Sequence, residues 1–203
     1  QESSIRLMNL LTAALILGEH HSPTTALVQM IREHGQRIYP TLHYAIAQDN
    51  NHGTSEVAVL FTAGAWLKRV GKENYESTQW LLRGRSGLEE RPAHLVEKDG
   101  SFSQHSVNYH RLFLETISLV EFWREECEQP AFSSGYYQRA TAAIDWLWQM
   151  TDPITGDVPN LGANDGAQLL QLSGSGYRDF RPSVQFVSAM FMKKRVCSKE
   201  CDG

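Results

Sequence analysis

The sequence is poor in the features that mark nucleic-acid-binding, disulfide-rich and membrane-spanning proteins. Its net charge of −4 gives no general basic field, so we expect no nucleic-acid partner. Three cysteines in 203 residues exclude a disulfide scaffold. The longest apolar run near the start, Leu10 to Gly18, is too short to span a bilayer. With 41% apolar and 21% charged residues, the composition is that of an ordinary globular protein.

We predict no export signal within this sequence, and its start leaves the location open. Its opening, QESSIRLMNLL, has neither a basic region nor a small-residue cleavage site. Cys127, Cys197 and Cys201 are accompanied by no further ligands with metal spacing, so we expect free thiols, no metal and no other cofactor. A polyanionic partner remains compatible with the net charge, because a few arginines in a cleft act locally. The oligomeric state is left open.

Helical periodicity is the dominant pattern. Apolar residues recur three and four apart over most of the chain, whereas no segment alternates long enough to predict a strand. We therefore predict an all-α fold of stacked helical hairpins, with Thr54 or Ser55 as the N-cap of the fourth helix. The predicted helices cover residues 5–18, 24–35, 41–47, 54–67, 75–82, 107–126, 136–150 and 183–194.

Polar, glycine-containing loops at 48–53, 99–106 and 156–166 lie where helix pairs would join, and three clusters at or beside them are suited to chemistry. In the first, QDNNHGTSE, Asn51 supplies an amide donor and His52 a base or second donor. Glu56 follows His52 by four residues and could fix its tautomer. Capping and turn formation are the alternative role of this cluster.

The second cluster, SQHSVNYHR, combines His105, Tyr109 and Arg111 at a loop-to-helix junction. Tyr109 is the candidate acid or base, because a nearby cation and amide donors could lower its pKa. His105 and Arg111 are candidate substrate contacts. The alternative is a surface helix start with a half-buried tyrosine.

The third cluster pairs NLGANDG with YRDFR. Here Asn164, Arg178 and Arg181 are candidate substrate contacts, since arginine meets a carboxylate or sulfate with its planar fork. A tight turn and a structural Arg178–Asp179 ion pair are the alternatives.

Two further features are interpreted as structural. Glu19-His20-His21 follows a helix end, where histidine complements the helix dipole, and is expected at the surface. Trp146 and Trp148 cannot share one helix face, so at least one is expected to pack in the core.

Together the clusters resemble a known family. QDNNHGTSE, DGSFSQHSVNYHR, PNLGANDGAQLL and YRDFRPS are similar, in order and spacing, to segments of the heparinase II/III and alginate lyase superfamily, over residues 42–185. The resemblance implies an incomplete α/α toroid, usually followed by a β-sandwich, and β-elimination at uronic acid residues of an anionic polysaccharide. Without a strand-rich segment, we interpret residues 1–203 as a single partial toroid-like domain, a fragment lacking the β-sandwich. The resemblance also implies a periplasmic or secreted location.

The resemblance assigns roles to three residues. Asn51 and His52 match the Asn-His pair that binds and neutralises the uronate carboxylate, and Tyr109 matches the catalytic tyrosine. The tyrosine takes the C5 proton or returns one to the leaving oxygen, and histidine is the base for the opposite epimer. No metal is needed, because preorganised donors stabilise the developing charge. Glu56, Arg111, Arg178 and Arg181 have no such match, and their roles rest on residue chemistry.

Two other functions remain open at this stage. One is a non-catalytic carbohydrate-binding or scaffold module, which the missing strand-rich region favours. The other is a hydrolase on a helical toroid, which needs two carboxylates such as Asp49 or Glu56 with Asp165.

Overall fold

The computed structural model describes residues 1–171 and 173–196, and these are predominantly helical. Over those ranges it contains no β-strand, only an isolated antiparallel bridge between Val96 and Phe102. The all-α prediction is confirmed. Cys197 and Cys201, expected as free thiols, lie outside the described residues, whereas Cys127 is a buried free thiol. The helices are α1 (Glu2–Ile16), α2 (Thr25–Ile38), α3 (Leu42–Ala47, after a 3-10 turn at Tyr39–Thr41), α4 (Asn51–Arg69), α5 (Tyr75–Leu95), α6 (Val107–Glu126), α7 (Ser134–Met150) and α8 (Arg181–Met192).

The chain divides into two compact units. The N-terminal unit comprises Gln1–Arg91 with Phe122–Ala131, and the C-terminal unit comprises Pro92–Glu121 with Phe132–Gly203. The divisions fall inside α5 and α6. A single toroid-like domain over residues 1–203 stays a prediction. No helix in the part of the chain that the structure describes has the length and hydropathy of a membrane span.

Helix α4 lies at the centre of the N-terminal unit. Residues 53–67 are all buried, and α1, α2 and α3 contact this helix. A helix buried on all sides must be apolar or small all round, as VAVLFTAGAWL is. Glycines bring α5 close to it: a Cβ added at Gly64 would lie 2.6 Å from the Ser77 carbonyl oxygen, and one at Gly84 2.5 Å from the Phe61 nitrogen.

The start of α4 differs from the sequence-based prediction. We expected a loop through residue 53 and an N-cap at Thr54 or Ser55, but the helix begins at Asn51 and its N-cap is Asn50. The Asn50 side chain accepts a hydrogen bond from the backbone N–H of His52 at 2.9 Å. Gly53, which we predicted in a loop, is instead part of the first helical turn. It is tolerated there because it packs against the backbone of α3.

Helix α5 is much longer than predicted. The expected helix over residues 75–82 continues to Leu95, through Gly84, Gly87 and Pro92. These residues usually end helices. Here the close approach of α4 stabilises both glycine positions, which local sequence does not reveal.

In the C-terminal unit, residues 110–121 of α6 are all buried, and α7 packs on α8. The predicted bounds of α6 are confirmed, and α7 and α8 each begin two residues earlier than expected. Between α7 and α8 the described residues form turns and irregular structure, as the turn-rich sequence predicted. Trp146 is half-buried and stacks on the buried ring of His110, with ring centroids 4.9 Å apart.

Candidate functional site

The most specific polar contact in the C-terminal unit joins the start of α6 to the loop at 160–167. The hydroxyl of Tyr109 donates a hydrogen bond of 2.6 Å to Oδ2 of Asp165. Asp165 also accepts from the backbone N–H of Ala167 at 3.0 Å and lies 3.4 Å from the side-chain nitrogen of Asn108. Tyr109 is half-buried and Asp165 is exposed, so this pair is within reach of a ligand.

The 160–167 loop is held on the first turn of α6 by Ser106. The Ser106 hydroxyl donates to the carbonyl of Ala163 at 2.6 Å and accepts from the backbone N–H of Tyr109 at 3.1 Å. The N–H of Val107 bonds the Leu161 carbonyl at 3.2 Å. Ser106 therefore caps the helix and anchors the loop that carries Asp165.

Gly162 makes this docking sterically feasible. Its φ is +75°, a conformation that L side chains rarely adopt, and an added Cβ would lie 2.0 Å from the carbonyl oxygen of His105. His105 itself has a φ of +51° and is exposed. His105 therefore contacts the loop through its backbone carbonyl, which packs against Gly162.

The Asp165 carboxylate shifts the pKa of Tyr109. Its hydrogen bond, together with burial, raises the pKa of Tyr109 to about 12. The same bond lowers the pKa of Asp165. Our expectation that a cation would lower the pKa of Tyr109 is wrong, because the group that meets the hydroxyl is an anion. At neutral pH Tyr109 is a phenol.

Behind this pair lies a hydrogen-bonded layer centred on Tyr177. Its hydroxyl lies 2.6 Å from Oδ1 of Asn108 and 2.5 Å from Oδ1 of Asn164, and its one proton can be donated to only one of them. Asn164 is exposed and also donates to the side-chain oxygen of Asn160 at 2.9 Å. Asn164 is therefore fixed within the loop, with its amide at the surface.

Arg111 is buried beneath this layer. Its guanidinium lies between two rings, 4.5 Å from the Tyr177 centroid and 4.1 Å from the Phe180 centroid. It donates to the Tyr177 carbonyl at 2.8 Å and to Oδ1 of Asn108 at 3.1 Å. We expected a substrate contact here, but the side chain is fully buried and donates its hydrogen bonds to protein oxygens. Arg111 therefore acts as a positioning residue for the surface above it.

Glu115 anchors the same region from deeper in the unit. Its carboxylate accepts from the Ser183 hydroxyl at 2.6 Å and from the backbone N–H groups of Leu169 and Leu170 at 3.0 and 3.4 Å. Burial raises the pKa of Glu115, while these donors act in the opposite direction. The carboxylate thus ties α6 to the start of α8.

The two arginines of the third cluster form ion pairs. Arg178 pairs with Asp157 and donates to the Val158 carbonyl at 2.5 Å. Arg181 forms a two-point pair with Asp179, at 2.9 and 2.8 Å. The structural pairing that we considered, Arg178 with Asp179, is replaced by these two. Both guanidinium groups are partly exposed.

Asn51, His52 and Glu56 belong to the N-terminal unit, in the first two turns of α4. Asn51 is buried and His52 is half-buried. Desolvation is the largest cause that lowers the pKa of His52, and the Glu56 charge opposes it. The Glu56 carboxylate lies 3.1 Å from the amino nitrogen of Gln1, which is its closest ion-pair partner in the described structure. A fixed His52 tautomer stays a prediction.

The sequence analysis did not single out Asn108, Glu115, Tyr177 or Ser183. A signal was present: Asn108, Arg111 and Glu115 are spaced three and four apart, so they lie on one face of α6. When polar residues share one face of a helix whose other residues are apolar and buried, they need hydrogen-bonding or oppositely charged partners elsewhere in the protein. Tyr177 and Ser183 carried no comparable pattern.

Comparison with protein-family models, curated proteins and solved structures finds no match to this chain. The chemistry of the site is therefore read from its residues. The C-terminal unit offers a protonated phenol beside a carboxylate. The N-terminal unit, taken by itself, offers an amide and an imidazole of lowered pKa at a helix start.

Proposed function

We propose that the protein is a polysaccharide lyase that cleaves uronate-containing anionic polysaccharide by β-elimination. The observation that carries the proposal is the 2.6 Å hydrogen bond that joins the Tyr109 hydroxyl to the Asp165 carboxylate at the surface of the C-terminal unit. The similarity of the three clusters to segments of the heparinase II/III and alginate lyase superfamily supports the same chemistry.

In this reaction a base removes the C5 proton of the uronate, the bond from C4 to the glycosidic oxygen breaks, and an acid protonates the leaving oxygen. A new C4–C5 double bond remains in the product. We assign the acid role to Tyr109, because it carries a proton at neutral pH and, even at a pKa of about 12, is a stronger acid than the sugar hydroxyl that the reaction forms. Once the proton is donated, the phenolate faces the Asp165 carboxylate, and this repulsion favours rapid reprotonation.

We assign carboxylate recognition to Asn51 and proton abstraction to His52. The lowered pKa of His52 keeps its imidazole neutral at pH 7, the form that accepts a proton. Both residues lie in the first turn of α4, a helix of 19 residues, where the helix dipole favours a bound anion. Neutralising the uronate carboxylate stabilises the carbanion that forms at C5.

We also propose that the helices form part of an α/α toroid. Consecutive helices pack on one another within each unit, α1 on α2 and α7 on α8, as helical hairpins do. The hairpins would then present their connecting loops to the polysaccharide.

The test is an elimination assay with alginate, heparan sulfate, chondroitin and glucuronan, following the near-ultraviolet absorbance of the new double bond. We expect turnover on one of them, and we expect Tyr109→Phe to lower kcat by roughly a hundredfold or more, since general acid catalysis contributes on that order. Tyr75→Phe, at an exposed tyrosine, is the matched control and should keep the wild-type rate.

No absorbance rise with any of the four polysaccharides would overturn the proposal. Binding by calorimetry without product would assign a carbohydrate-binding module instead. A Tyr109→Phe rate close to that of Tyr75→Phe would remove Tyr109 from the mechanism. A product mass increased by one water would indicate hydrolysis.

A further inference from the structure

Two histidines and a glutamate, none of which has a role in the proposed reaction, converge in the N-terminal unit. His20 and His21 lie in the turn after α1, and Glu126 is the last residue of α6. Nε2 of His20 lies 3.7 Å, and Nε2 of His21 4.0 Å, from the same oxygen, Oε1 of Glu126. The donor atoms of all three lie within 4.8 Å of one another.

These distances between Nε2 and Oε1 are too long for hydrogen bonds. They are closer to the separation between two ligand atoms of one bound metal ion. A tetrahedral zinc ion with bonds of about 2.0–2.1 Å places its ligand atoms about 3.3 Å apart. The observed separations of up to 4.8 Å exceed this by roughly 0.4 to 1.5 Å, which rotation of the three side chains would close on binding. Because His20 and His21 are in a turn and not in a helix, adjacent residues can face one point, and their ring centroids are 3.8 Å apart.

The surroundings hold His20 in place. The indole N–H of Trp66 donates to its carbonyl at 3.0 Å, and the Trp123 ring meets the imidazole edge-on, with centroids 6.4 Å apart. Its Nδ1 is buried, so Nε2 is the nitrogen that a ligand can reach. The side chains of His21 and Glu126 are 63% and 32% exposed, which leaves room for a water ligand.

We propose that His20, His21 and Glu126 form a binding site for a zinc ion, with water as the fourth ligand. Two imidazoles with one carboxylate suit zinc and related transition metals, whereas magnesium and calcium prefer oxygen ligands only. The expectation from the sequence was a surface role for the two histidines and no metal. The clustering depends on Glu126, which is more than 100 residues away in the chain.

The test is zinc titration by calorimetry of the full chain carrying Cys197→Ser and Cys201→Ser, so that these thiols cannot bind the metal. We expect one zinc per chain and no comparable binding of magnesium. Glu126→Gln and His21→Gln should each weaken binding at least about tenfold, because even the loss of a supporting residue costs that much. Cobalt bound in place of zinc should show visible bands without a thiolate charge-transfer band.

The matched controls are Glu125→Gln, which removes the same charge one residue earlier, and His43→Gln at an exposed histidine; both should bind zinc as the parent does. Absence of zinc binding by the parent would overturn the site. So would equal binding by Glu126→Gln and Glu125→Gln, or equal affinity for magnesium. Circular dichroism of each variant verifies that it is folded.

Discussion

Tyr109 is the residue whose chemistry the structure changes most. A tyrosine beside a cation would ionise more easily and act as a base, whereas one that donates to a carboxylate holds its proton. Here the partner is Asp165, at 2.6 Å, and the pKa of Tyr109 rises to about 12. The residue therefore keeps its proton at neutral pH, and in the reaction that we propose the base is another group.

Asp165→Asn should lower the pKa of Tyr109 from about 12 toward the ordinary value of 10.0, because the amide still accepts the hydrogen bond but carries no charge. The measurement is the tyrosinate absorbance during an alkaline titration. Subtracting the titration of the matching Tyr109→Phe protein isolates Tyr109. Asp157→Asn, which removes a carboxylate paired with Arg178 in the same unit, is the control and should leave the value near 12. An Asp165→Asn titration that stays near 12 would contradict the assignment.

At the scale of elements, the site depends on how the 160–167 loop docks on α6. The loop has no regular secondary structure, so its position rests on the Ser106 bridge and on the close approach of Gly162 to His105. Local turn propensity predicts that a turn forms, but it does not predict where the turn packs.

Gly162→Ala should destabilise the fold more than Gly166→Ala. Both glycines have positive φ, +75° and +81°, so both substitutions carry a conformational cost of about 1 kcal/mol. Only at Gly162 does the new methyl group meet a backbone atom, at 2.0 Å, whereas Gly166 has open space. We expect a loss of about 3 kcal/mol for Gly162→Ala, measured by urea unfolding. Equal losses at the two positions would show that the loop does not dock as described.

At the scale of the whole molecule, a buried histidine makes stability depend on pH. Burial lowers the pKa of His110 to about 4 from 6.5, and the Ala143 backbone opposes this only weakly. As pH falls through 6.5, His110 is protonated in the unfolded chain, whereas in the folded chain it stays neutral until about pH 4. Protons therefore favour unfolding in that interval, and stability is lost as pH falls. The lowered pKa of His52 acts in the same direction.

His110→Phe should remove the largest part of this acid sensitivity while keeping a ring against Trp146. Between pH 7 and 4 we expect the wild-type protein to lose about 3 kcal/mol more of unfolding free energy than the variant does. Urea unfolding at several pH values measures the difference. His43→Phe, at an exposed histidine, is the control and should keep the wild-type slope. Parallel curves for wild type and His110→Phe would contradict the prediction.

The sequence predicted the helical elements well where their signals are local. Apolar spacing located α6 exactly, because each turn of that helix carries its own buried residues. The same spacing failed to predict the length of α5, because glycines such as Gly84 and Gly87 usually end a helix. Their place inside α5 is explained only by the close approach of α4. The sequence also misplaced the cap of α4, because several consecutive polar residues were all competent caps.

For the candidate site, the sequence predicted a role for Tyr109, which stays a prediction, and placed Asp165 in a turn, but it did not pair them. It also read Arg111 as a substrate contact, although the side chain is buried between two rings. Residue type indicates which chemistry a side chain can perform. Burial and the identity of the nearest charge decide which chemistry it does perform.

By itself, the sequence determined the all-α class and most helix positions, because helical periodicity depends on residues a few positions apart. Only the tertiary structure decided that a carboxylate 56 residues away meets the Tyr109 hydroxyl, and that Glu126 joins two histidines near the start of the chain. Such contacts depend on how loops and helices pack, and packing combines side chains from distant parts of the chain that no local pattern connects.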